Sequence, residues 1–220
     1  MKILAVDTAL GACSVAVLDG ETVLAHRFEP MERGHAEALA PMVEVAMTES
    51  GLPFAALERL AVTTGPGTFT GQRVGLAFMR GLRLALKLPL VGITTLTAMA
   101  HQAMAETGAK QAVALHDARR DEVYAEMIPG FAPSLLKRDD VVESVARAAG
   151  TGPLALAGTA AADFLAPLRV RKIDAALCPV RHPDALWVAR LALAAPAPDG
   201  PPRPLYLRAP DARLPSAPAA

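Results

Sequence analysis

Cysteine, net charge and long apolar runs are the scarce things in this 220-residue chain. Its two cysteines, Cys13 and Cys178, stand far apart and form no CxxC. Neither a disulfide framework nor a thiolate zinc site can be built from them, and a reducing, cytoplasmic setting is expected. Basic and acidic residues number 22 each, so the chain has no general pull toward phosphate backbones, which disfavours independent nucleic-acid binding. The first apolar run, Ile3–Val6, is cut by Asp7, too short for a signal-peptide core. No window of about 18 apolar residues is free of charge, so no membrane contact is expected. The histidines, His26, His35, His101, His116 and His182, include no pair at three- or four-residue spacing, and no helix presents two imidazoles on one face. No GxSxG declares a nucleophile.

What is present is apolar. Half of the chain (52%) is hydrophobic and 20% is charged, which suits a folded chain of one domain or two small lobes. Short apolar runs at Lys2–Val6, Ser14–Leu18 and Glu21–Arg27, separated by turn dipeptides, predict an antiparallel meander. Helical spacing follows over His35–Ser50, with Gly51 as its stop and Pro41 inside it, where a kink or early start is expected. Leu60–Thr64 reads as a buried strand, Gln72–Leu86 as a helix, Leu88–Ile93 as a strand, and Thr95–Glu106 as a helix capped by Thr94 or Thr95. Alternation of this kind after a meander points to an α/β chain with a mixed sheet flanked by helices.

A weaker echo comes next. Ala112–His116 leads to Asp117, a turn, and a return strand at Glu122–Ile128, much as Val6-Asp7 leads to Val17. Two similar halves suggest duplication. Beyond Gly130 the pattern predicts a helix at Val141–Ala149, a strand at Leu154–Ala157 and a helix at Pro183–Ala195, and the Pro/Ala-rich end, 209–220, is expected to be loosely ordered.

The loop Gly65-Pro-Gly-Thr-Phe-Thr-Gly71 lies between a strand and a helix, where backbone amides can converge on an anion. It is neither a Walker A loop nor GxGxxG, and such a loop also serves as a tight turn. Asp7 at a strand end could hold a metal-bound nucleotide, or simply form a turn. Asp7, Thr8, Gly65, Gly67, Thr68 and Gly71 are therefore candidate vestigial phosphate loops. On a wheel of about 100° per residue, Arg73, Arg80, Arg83 and Lys87 fall within an arc of roughly 80°. Apart from Gln72 the rest of that helix is apolar or glycine, and His35–Ser50 is similar, where Glu37, Pro41, Glu44 and Thr48 make one narrow stripe. Both helices carry more apolar surface than one sheet face needs, which suggests either mutual cover or a subunit interface.

Several separated segments closely resemble the TsaB (YeaZ) family: Ile3-Leu-Ala-Val-Asp-Thr-Ala, Ala12-Cys-Ser-Val-Ala, the Gly65–Gly71 loop with Arg73-Val-Gly, Asp117-Ala-Arg-Arg-Asp-Glu-Val-Tyr124 and Arg203-Pro-Leu-Tyr-Leu-Arg208. The resemblance is dense over 1–128, sparse over 129–195, and returns at the end. It implies an ASKHA-type fold (actin, sugar kinase and Hsp70-like) of duplicated ribonuclease H-like lobes, here 1–100 and a partly degenerate 101–208. It further implies a non-catalytic subunit in making threonylcarbamoyladenosine (t6A) at tRNA position 37. Such a subunit would pair with TsaD, work with TsaE, form a homodimer when alone, and meet tRNA only through the complex. No cofactor is expected to bind this subunit tightly, and ATP or ADP and a metal belong with TsaD and TsaE.

The family's interface helices correspond to His35–Ser50 and Gln72–Leu86. This nominates His35, Leu39, Met42, Val43, Met47, Gln72, Leu76, Met79, Arg80 and Arg83 as partner contacts. On that basis Leu39→Glu or Met79→Glu is expected to abolish pairing and spare the fold. The catalytic relatives carry HxxxH on the first helix. Here His35 is followed four residues on by Leu39, and Thr94–Ala100 has no histidine, so metal-held transfer chemistry and a metallopeptidase are not expected. The rival reading is a small ASKHA phosphotransferase using Asp7 and Gly65–Gly71 around Mg-ATP.

Overall fold

The computed structural model describes residues 1–208; the expected loose tail at 209–220 lies outside the described residues. Strands β1 (Lys2–Asp7), β2 (Ala12–Asp19) and β3 (Thr22–Pro30) form the meander. Helix α1 (His35–Ser50) then leads to β4 (Arg59–Thr63), α2 (Phe69–Leu86) and β5 (Leu90–Ile93). The sheet order is β3-β2-β1-β4-β5, with β1, β4 and β5 parallel. After α3 (Thr95–Thr107) come β6 (Gln111–Arg119), β7 (Glu122–Ile128), β8 (Phe131–Lys137), α4 (Arg138–Ala148), β9 (Leu154–Ala157), α5 (Ala161–Val170), β10 (Ala175–Leu177) and α6 (Ala185–Ala194). Their sheet, read as β8-β7-β6-β9-β10, repeats the first strand for strand and direction for direction. The echo between Val6-Asp7 and His116-Asp117 is thus the visible part of a full topological duplication.

Period-two alternation sends each strand's side chains to two different helical layers. Leu4, Val6, Leu60 and Val62 face α1 and α2, while Ile3, Ala5, Ala16 and Ala61 face α6. In the second sheet Val113, Leu115, Leu154 and Leu156 face α4 and α5, whereas Ala112, Ala114, Ala155 and Ala157 face α3. The inner faces are rich in alanine, which lets α3 and α6 approach the sheets and touch each other. A boundary at residue 100 falls inside α3, which packs on the second sheet, and α6 returns to cover the first.

Local chemistry explains the edges. Helix α2 begins at Phe69, three residues ahead of the predicted start, because the Thr68 hydroxyl accepts the Gly71 amide at 3.1 Å. Thr94 caps α3 in the same way, accepting from Thr97 at 3.0 Å, and Gly108 ends it in the left-handed conformation. Helix α1 runs unbroken through Pro41, whose ring lies on the exposed side. Among the described residues no helix is long and apolar enough to cross a membrane.

Candidate functional site

Because β1 and β4 are parallel neighbours, their carboxyl ends deliver the Asp7–Leu10 and Thr64–Thr68 loops to the same place. The two loops are tied to one another. Thr68 donates its amide to the Ala9 carbonyl at 2.9 Å. Thr8 Oγ1 donates to the Gly71 carbonyl at 2.7 Å and accepts from the Gly75 amide at 3.0 Å. A Cβ at Gly67 would collide with the Ala9 carbonyl, and one at Gly71 with the Thr8 carbonyl. Glycine is required here by close approach of backbone to backbone. The Gly71 and Gln72 amides are taken by Thr68, and the Ala9 amide by Asp7.

Asp7 is fully buried. Its Oδ1 accepts from Thr63 Oγ1 at 2.5 Å and from the Ala9 amide at 3.1 Å, and its Oδ2 has no partner among the described residues. Burial pushes its carboxyl up to about 7, against the lowering pull of the Thr63 hydroxyl. Of the two roles open to it, holding a metal-bound nucleotide or forming a turn, this carboxylate is placed for the second, sealed beneath its own loop. Gly67, Thr68 and Gln72 do reach the surface of a cleft of about 960 Å3 between the two lobes.

That cleft is lined by arginines from both halves. Arg73 comes from α2, Arg119 from the β6–β7 turn, Arg138 from the start of α4, Arg181 from the loop before α6 and Arg208 from the final segment. They outnumber the acids that line it, Glu32, Asp117 and Asp163. Arg138 pairs with Asp163 at 2.8 Å and with Asp117 at 3.7 Å. His116 bonds Thr159 Oγ1 through Nδ1 at 3.1 Å and meets the His182 ring edge-on at 6.2 Å between centroids. Burial, reinforced by His182, drives His116 down to about 4, so both rings are neutral near pH 7. Arg119, Arg120 and Asp121 all hold positive φ, at 60°, 54° and 60°, an uncommon run for residues bearing side chains. Among the described residues no group of three His, Cys, Asp or Glu could hold a metal ion.

The comparisons with known proteins fit this architecture. Residues 23–153 match the family model for TsaD, tRNA N6-adenosine threonylcarbamoyltransferase. The tRNA threonylcarbamoyladenosine biosynthesis protein TsaB of Escherichia coli K12 is 45% identical over 124 residues, covering 56% of this chain and 53% of that protein. The chain spans about half the length of the curated relatives it matches. The structure of YeaZ from Pseudomonas aeruginosa superposes with a TM-score of 0.71 at 29% identity, covering 88% of this chain and 91% of that one.

The chain belongs to the TsaB/YeaZ family.

Component A of the Acidaminococcus fermentans (R)-2-hydroxyglutaryl-CoA dehydratase, at 9% identity and a TM-score of 0.52 over 88% of this chain and 98% of that one, shares the fold alone. The two-lobed architecture observed here is that of the YeaZ structure.

The structure corrects where the nominated TsaB/YeaZ interface residues point. Leu39, Met42, Val43 and Met47 of α1 and Leu76 and Met79 of α2 are buried in the first lobe's own core, with Leu39 1% and Met79 0% exposed. The two helices cover each other and the sheet, which accounts for their apolar excess. A glutamate at either position would enter that core, so sparing of the fold is no longer expected. His35 is half-buried and its Nε2 lies 3.0 Å from the Leu10 carbonyl. Gln72 is buried under Gly65, Arg80 donates to the Pro202 carbonyl at 2.5 Å, and Arg83 is half-buried. The outward residues of the pair include Ala36, Ala40 and Val45 among Glu37, Pro41, Glu44, Thr48 and Glu49 on α1, and Phe69, Ala77, Gly81, Leu84 and Ala85 beside Thr70 and Arg73 on α2.

Sequence reading missed Arg138, Thr159, Asp163, Arg181 and His182, all in the stretch without motifs. The duplication itself is the signal that finds some of them. Gly158-Thr159 lies at the β9–α5 junction, which by topology corresponds to the β4–α2 junction that carries Gly67-Thr68.

Proposed function

We propose that this chain is a non-catalytic subunit in t6A synthesis that pairs with a TsaD-type catalytic partner and supports threonylcarbamoyl transfer to adenosine 37 of ANN-decoding tRNAs. One observation carries the reading. The loops that a nucleotide-using ASKHA enzyme would open toward phosphate are stitched to each other, and their carboxylate, Asp7, is sealed. The names of the TsaB relatives support the pathway. Docking would use the outward face of α1 and α2, where Val45 is 42% and Leu84 72% exposed beside Ala77 and Gly81. The same face would close a homodimer when no partner is present. ATP or ADP, metal and tRNA would be handled with TsaD and TsaE. For docking to regulate the partner, this chain must bind one state of TsaD better than another.

The test is reconstitution. TsaD and TsaE from the same organism, with and without this chain, are assayed for t6A on an ANN-decoding tRNA transcript, and the complex is weighed by analytical ultracentrifugation. Dependence of t6A on the chain, together with a TsaD complex, supports the reading. Transfer that proceeds equally well without the chain removes it.

The open inter-lobe cleft favours a second reading, an ASKHA phosphotransferase. Calorimetric titration of the isolated chain with Mg-ATP separates the two, since tight binding with turnover belongs only to the second.

A further inference from the structure

Two sequence features are left without a role by the proposed function: the arginine stripe of α2 and the terminal Pro202–Arg208 segment. The structure joins them. Pro202 rests against Gly92 of β5, where a Cβ would strike the proline ring. Arg80 donates to the Pro202 carbonyl at 2.5 Å, and Leu205 donates its amide to the Thr64 carbonyl at 2.8 Å. Arg73 Nε donates to the Tyr206 hydroxyl at 2.9 Å, while its guanidinium lies 3.5 Å from the centroid of the Phe69 ring, which itself stacks with Tyr206 at 5.8 Å. Two residues on, the chain has reached the other lobe. Arg208 donates to the Ala118 carbonyl at 2.8 Å and pairs with Glu122, bracing the turn whose residues 119–121 all hold positive φ.

We propose that Pro202–Arg208 is a strap that fastens the first lobe to the β6–β7 turn of the second and sets the width of the cleft. Leu205, Tyr206, Leu207 and Arg208 themselves form one wall of that cleft. Prolines at 202 and 204 fix φ, so little chain entropy is lost in holding the segment extended. Its bonds are few, polar and partly exposed, the kind that open well below the free energy of global unfolding. Whatever widens the cleft must first release Arg208 or Tyr206.

Hydrogen exchange of the full chain tests this at the end of the strap remote from each cut. Arg208→Ala severs the second-lobe end, and the diagnostic peptide is Thr64–Arg73 in the first lobe. Tyr206→Ala severs the first-lobe end, and the diagnostic peptide is Asp117–Val123. Exchange at the remote end about tenfold faster or more, with circular dichroism unchanged, is the expected result. Acceleration confined to the lobe that was cut, or to residues 202–208 alone, would show a docked chain end and overturn the strap. If one variant does not fold, the other carries the test alone.

Discussion

Asp7 Oδ1 and Thr63 Oγ1 lie 2.5 Å apart at the ends of adjacent parallel strands, and among the described residues the other oxygen of that carboxylate has no partner. A residue that in a nucleotide enzyme would work at the surface has been turned into a buried tie between β1 and β4.

The tie has a pH signature. Burial raises the folded carboxyl to about 7, so the native state holds a proton that the unfolded chain loses near its ordinary 3.8. That contribution is fully present below about 4 and is lost as pH rises toward 7. His116 has the opposite sign. Lowered to about 4 by burial and by His182, it stabilises the fold above its ordinary 6.5, and this is lost as pH falls through the window from 6.5 to 4. The two slopes oppose each other in the wild-type chain. Asp7→Asn is expected to unmask the histidine slope, so that urea midpoints rise more steeply from pH 4.5 to 6.5 than in wild type. At pH 8 the variant should also be more stable, by roughly 1–3 kcal/mol. An identical pH profile in the two proteins would contradict the buried, proton-holding Asp7.

Core and surface positions on the paired helices should separate cleanly. Leu39→Ala and Met79→Ala remove buried side chains and are expected to cost about 2–5 kcal/mol in chemical denaturation. Val45→Glu and Leu84→Glu lie on the outward face and should change stability by no more than about 0.5 kcal/mol. Only the second pair should weaken binding to TsaD in ultracentrifugation while leaving the melt intact.

The loop pair makes a third expectation. Gly71→Ala pushes a methyl against the Thr8 carbonyl and the Thr68 hydroxyl, and should cost about 1–3 kcal/mol. Thr8→Val removes the hydroxyl that bonds both the Gly71 carbonyl and the Gly75 amide and should cost a similar amount, about 1–3 kcal/mol. Combined, the two should fall short of additivity in a double-mutant cycle, because both loosen the same contact.

Much of this fold was legible in advance because its first half follows local rules. Turn dipeptides, threonine caps and a glycine stop mark β1 to α3 within a few residues, and the order of motifs pointed to ASKHA lobes. The second half was harder to read for identifiable reasons. Strand β8 contains Pro133 and Ser134 and sits at a sheet edge, so it shows little alternation. Helix α5 has ten residues with Pro167 inside, and β10 has three. Both are short, and the proline interrupts what helical pattern there is. At the site, Gly65, Gly67 and Gly71 were found by type, but nothing in the sequence shows that the Thr68, Gly71 and Gln72 amides are spent internally. Helical periodicity likewise picked out Leu39 and Met79 as apolar, yet it cannot say whether a greasy face meets its own sheet or another molecule.

The crossing of α6 back to the opening sheet has a consequence for how the polypeptide can be divided. Severed after α3, the leading fragment would leave Ile3, Ala5, Ala16 and Leu18 facing water, because the helix that shields them, α6, is the last among the described residues. During synthesis that half must therefore wait until α6 has been made before it can close. Two coexpressed fragments should recover each other, where either alone would clump.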